Sequence, residues 1–123
     1  MKFSQRRRIA SAVVAATQQT LPPEIRELAA AVPVLLPDEP DASVLAEGFE
    51  ADLLGLFGGT PHGAEVIASQ TEPPHILLYL RNLWDYAEAD ESAFRTEVRR
   101  TYLHELGHYL GWNEDQLTAR GLD

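Results

Sequence analysis

The chain has 123 residues, 45% of them hydrophobic, which fits one modest core and a single domain over residues 1–123. Nineteen acidic residues against ten basic ones give a net charge of −9, which disfavours nucleic acid as a partner and favours a cationic or neutral polypeptide. The chain lacks cysteine, which excludes disulfides and thiolate ligands and accords with a cytoplasmic location, and no stretch approaches transmembrane length, so no membrane partner is expected.

Lys2, Arg6, Arg7 and Arg8 open the chain and are followed by a weakly apolar run over residues 9–16. That order resembles a secretory or twin-arginine leader, yet the run is short, alanine-rich and broken by Ser11. An ordinary helix over residues 4–19, closed by Pro22 and Pro23, is the better reading. Docking of this basic helix on an acidic partner or membrane surface ranks below it. Residues 23–30 add a short helical turn, and residues 32–36 are a candidate strand in which Pro33 marks the start or an edge. Residues 37–41 form an acidic, proline-punctuated loop. Between 50 and 74, Gly55, Gly58, Gly59, Pro61, Gly63, Pro73 and Pro74 predict irregular loop with a short extended segment or two. Residues 76–80 are the best strand, and their nearly continuous apolar character predicts an interior strand. A short helix over 83–88 leads into a long one, capped by Asp90 or Ser92, that reaches Gly111 and is about 30 Å long. A last helical stretch covers 116–120, with Glu114 or Asp115 available as its N-cap or first-turn acid.

The long helix carries the chemistry. His104-Glu105-Leu106-Gly107-His108 places two imidazoles four residues apart, on one helical face with Cβ atoms roughly 5–6 Å apart, so that one divalent metal ion can join them. Phe94, Val98, Tyr102, Leu103, Leu106, Tyr109 and Leu110 share a broad arc of the helical wheel, and His104 and His108 lie opposite it, facing a cleft or solvent. Zinc takes nitrogen and oxygen donors, and a catalytic site supplies three protein ligands with a fourth position for water. Glu105, beside the first ligand, is the candidate general base for that water. Gly111 can end the helix in the left-handed conformation and bring the following residues back toward the metal. Glu114 is the first choice as third ligand, with Asp115 the open alternative. Gly107 inside the helix costs roughly 1 kcal/mol relative to alanine, for which a close backbone approach near the metal is a sufficient reason.

From His104 to Glu114 the chain resembles the extended zinc signature of zincin metallopeptidases, and more closely that of small bacterial minimal zincins with a matrix-metalloprotease-like core. Weaker similarity runs through residues 53–61 and 75–83. The resemblance implies an α+β, minimal zincin-like fold, a small mixed sheet packed on a long metal-binding helix. It also implies one Zn2+ per chain held by His104, His108 and Glu114, with Glu105 as catalytic base. The activity implied is peptide-bond hydrolysis through a metal-activated water, on a peptide or protein substrate. The alternative is a non-catalytic binding or regulatory module that keeps the metal site. Two features depart from larger relatives: the only methionine is Met1, so a methionine turn beneath the metal is absent, and the third ligand position is an acid. In zincins a strand bordering the cleft commonly pairs with extended substrate, and residues 76–80 are the candidate for that role if they are not interior. Tyr79, Tyr86, His62 and His75 are the residue types available to donate to a developing oxyanion. His62 and His75 read more simply as loop histidines, and Trp84 and Trp112 as packing.

Overall fold

A computed structural model describes residues 1–63 and 72–121. Helix α1 spans Phe3–Gln19, α2 Pro23–Ala30, β1 Val34–Leu35, α3 Ala42–Ala46, β2 Gly55–Gly58, β3 His75–Leu78, α4 Leu80–Tyr86, α5 Glu91–Leu110 and α6 Glu114–Ala119. The three strands form a mixed sheet in the order β1-β3-β2, with β1 parallel and β2 antiparallel to β3. Helix α5 packs against β2 and β3 and is backed by α1 and α4. This is the α+β arrangement expected, a small mixed sheet on one long helix. No helix among the described residues is long and apolar enough to cross a membrane.

The core lies between sheet and helices. Phe94, Val98, Tyr102, Leu103 and Leu106 of α5 are buried against Ile76 and Leu78 of β3. Their spacing of three and four residues keeps one stripe of α5 inward. Helix α1 turns Arg6, Ile9, Ala10, Val14 and Thr17 inward, so the basic N-terminal segment is an integral helix of the fold. Arg6 loses its place on the exposed basic face: its guanidinium donates to both carboxylate oxygens of Asp38, at 3.1 and 3.2 Å, and to the Met1 carbonyl. Asp38 in turn lies at the start of α4, where the carbonyls of Pro37 and Asp38 accept from the amides of Leu80 and Arg81.

The strands fall a little differently from the sequence expectation. Strand β3 is the central one, and its outward neighbour at the cleft is β2, which the glycine content of residues 50–74 had marked as mostly loop. The glycines are present for contact reasons. A Cβ on Gly55 would lie 2.6 Å from the Thr101 methyl of α5, and one on Gly58 would lie 2.5 Å from the His75 ring. Close crossing of α5 therefore outweighs the weak strand propensity of glycine. Helix α3 follows the acidic loop directly, capped by the Asp41 side chain accepting from the Val44 amide at 3.0 Å. Helix α4 starts at Leu80, three residues before its expected position, because the loop carbonyls just named satisfy its first amides. Part of the segment read as loop, residues 64–71, lies outside the described residues.

Candidate metal centre

Helix α5 begins where the Asp90 carboxylate accepts from the Ala93 amide at 2.8 Å and ends at Gly111, whose φ of +75° is the left-handed turn expected of it. The chain then passes through Trp112 into a capping box. Asn113 Oδ1 accepts from the Gln116 amide and Gln116 Oε1 accepts from the Asn113 amide, both at 2.8 Å. Asn113 is thus the N-cap of α6, and Glu114 and Asp115 are its first-turn acids. Leu117, three residues beyond Glu114, is buried against Gly107, where a Cβ would meet its side chain at 2.7 Å. The missing Cβ of Gly107 lets α6 lie on α5, so the close approach there is made by α6.

That seat has a counterpart at the site. Gly107 and Leu117 touch, and the residues three positions before each, His104 and Glu114, also touch: Glu114 Oε1 lies 2.8 Å from His104 Nδ1. The rings of His104 and His108 are 4.5 Å apart between centroids, both part-exposed on the outer face of α5. Glu105 is different. Only 5% of it is exposed, and its Oε2 is buried without a hydrogen-bond partner, 3.5 Å from His108 Nδ1. Burial pushes the Glu105 carboxyl above the usual carboxylate range, against the pull of His108 and His104.

Ligand atoms of His104, Glu105 and His108 all lie within 4.8 Å of one another. A buried carboxylate oxygen with no partner is costly unless something cationic or protic completes it. Two imidazole nitrogens and neighbouring carboxylates are a donor set that suits zinc. On both counts the residues present fit a divalent metal ion.

The site opens into a cleft of about 1000 Å3. One wall comes from the segment running into β2, including Phe49 and Leu53 to Phe57, and the floor from α5, along Glu97, Arg100, Thr101, His104, Glu105 and His108. Glu114 lines the cleft; Asp115, exposed on α6, does not. A match to the zincin-like metallopeptidase family covers residues 29–122. The chain belongs to this family. A comparison with curated proteins finds no match. Zinc-peptidase character is what membership implies, and the His104-Glu105-His108 cluster is compatible with it.

Of the four residues considered as oxyanion donors, only Tyr86 reaches this cleft. Tyr79 is buried at the end of β3. His75 begins β3, with Nδ1 2.9 Å from the Pro73 carbonyl, and His62 lies against the Tyr109 ring with its amide donating to the Tyr109 carbonyl at 2.8 Å. Trp84 packs on Phe94, and Trp112 lies under the Arg120 guanidinium. The cleft also takes in Leu53 to Phe57, within the 53–61 stretch of family similarity, together with Phe49, Glu97, Arg100 and Thr101, which no motif marks. The last three share the helical stripe of His104 at spacings of three, four and seven, which is the one signal that identifies them.

Proposed function

We propose that this chain is a zinc-dependent peptidase in which His104, His108 and Glu114 hold the ion and Glu105 is the general base. The observation that carries the proposal is the buried, unpartnered Oε2 of Glu105 between two histidines on the floor of a cleft. A purely structural metal site has no use for that oxygen.

When bound, zinc supplies Lewis-acid polarisation of a peptide carbonyl and lowers the pKa of a water molecule. The Glu105 carboxylate would accept a proton from the attacking water and return it to the leaving amine. Glu114, by its contact with His104 Nδ1, also restrains the imidazole it approaches. Among the described residues strand β2 is an edge of the sheet and borders the cleft, which suits an extended peptide aligned by main-chain hydrogen bonds through strand addition.

Elemental analysis of the purified protein is expected to give one zinc per chain. His104→Ala and His108→Ala lose the metal. Glu105→Gln keeps it and loses hydrolysis of a peptide library by about 10²- to 10⁴-fold, the usual worth of a general base. Glu114→Ala lowers zinc affinity at least tenfold, and Asp115→Ala leaves it within about threefold. Protein that takes up no metal defeats the reading. Metal retained with turnover no greater than that of Glu105→Gln assigns the chain to the non-catalytic alternative.

A further inference from the structure

Six large apolar side chains are exposed among the described residues, and two of them, Phe49 and Tyr86, stand on the same cleft, 39% and 62% exposed. They come from different elements. Phe49 precedes β2 and Tyr86 ends α4, and the two walls are tied: Asn82 of α4 donates its side-chain amide to the carbonyls of Ala51 and Leu53, at 2.8 and 2.9 Å. The backbone that carries the two aromatic walls is therefore tied together before any ligand arrives, which removes part of the ordering cost of binding.

Part of the cleft floor, along α5, is electrically quiet. Arg100 Nη1 lies 3.0 Å from Glu97 Oε1, so the charged residues at this end of the cleft satisfy each other. An acidic or basic group entering here finds its counter-charge already engaged, whereas an apolar ring covers surface that is otherwise wet.

Resting on the peptidase reading, we propose that Phe49 and Tyr86 form a recognition site, in the same cleft as the histidines, for a bulky aromatic or aliphatic side chain of the substrate. The substrate class is then an extended polypeptide with such a residue near the scissile bond, rather than any accessible peptide bond. Phe49 and Tyr86 are specificity residues and take no part in the chemistry.

The test uses the full chain carrying Glu105→Gln, loaded with zinc, and fluorescence anisotropy of labelled ten-residue peptides that differ at one position: Phe, Leu, Ala, Asp or Lys. Phe and Leu peptides are expected to bind at least tenfold tighter than the Ala peptide. Adding Phe49→Ala and Tyr86→Ala brings all five within about twofold, whereas adding Leu35→Ala, an exposed apolar residue away from the cleft, leaves the preference intact. Far-ultraviolet circular dichroism checks that each variant is folded. A preference for Asp or Lys, an apolar preference that survives the double substitution, or no binding by any peptide overturns the proposal. Cleavage by the unsubstituted chain is scored in parallel. Cleavage without apolar preference removes the recognition site and leaves the peptidase, and apolar-selective binding without cleavage does the reverse.

Discussion

Gly107→Ala tests how the third acid reaches the site. The added Cβ would lie 2.7 and 2.8 Å from the two Cδ atoms of Leu117 and 3.1 Å from its Cγ. Carbon atoms rest at about 3.5–4.0 Å, so the contact is short by roughly 1 Å. Leu117 is buried to 2% exposure and has little room to turn away, so α6 must move. A shift of that size takes the 2.8 Å contact between Glu114 and His104 to nearly 4 Å, beyond hydrogen-bond reach. Overpacking costs about 1–3 kcal/mol, offset by about 1 kcal/mol of helix propensity gained over glycine. The net loss in urea unfolding is therefore modest, about 0–2 kcal/mol. Zinc affinity, measured by competition with a chromogenic chelator, is expected to fall about tenfold or more. Leu117→Ala in the same chain relieves the clash, so the two substitutions together cost less than the sum of the singles. Unchanged zinc affinity in folded Gly107→Ala would refute the link between this seat and the metal site.

Asp38→Ala leaves Arg6, whose side chain is only 7% exposed, without its carboxylate. Because Asp38 itself is about one-third exposed, the expected loss is about 2–3 kcal/mol in urea unfolding, below the full cost of breaking a buried pair, and Asp38→Asn loses less. Tyr79→Phe removes a buried hydroxyl that has no partner and is expected to be neutral or stabilising by up to about 1 kcal/mol. Stability also falls at alkaline pH. Burial raises the phenol of Tyr79, helped by the charges of Asp41 and Glu47, and burial raises that of Tyr102 against a hydrogen bond from Gln18. A group raised in the fold gives its full contribution below its unfolded pKa of about 10 and loses it as pH rises through the folded value. Urea midpoints between pH 8 and 11 should drop less steeply in a Tyr79→Phe, Tyr102→Phe double variant; identical slopes would count against the assignment.

Local patterns were legible and crossings were not. His104, Glu105 and His108 follow from one helix turn, the end of α5 from Gly111, and the buried stripe of α5 from its three-and-four spacing. These are relations within four residues, which backbone geometry fixes. A short extended segment was legible within residues 50–74, but not that it is β2 at Gly55–Gly58, because a bare backbone at Gly55 beside Thr101 looks in sequence like a reason for loop. The hydrogen bonds from Asn82 to the carbonyls of Ala51 and Leu53 join residues about thirty positions apart, and nothing near either end announces them. Phe49, an aromatic residue of the cleft along with Tyr86, is unmarked in sequence for the same reason.

The choice between Glu114 and Asp115 shows how a nonlocal contact can still rest on local rules. Asn113 and Gln116 fix the first turn of α6, and within a helix neighbours point about 100° apart while residues three apart share a face. Leu117 must face α5, because it fills the space above Gly107. Glu114 shares that face and meets His104, three residues before Gly107, whereas Asp115 is carried around toward solvent. One buried leucine and one absent Cβ thus decide which of two adjacent acids stands at His104. Neither is a ligand type, so a search restricted to metal-binding residues passes over both.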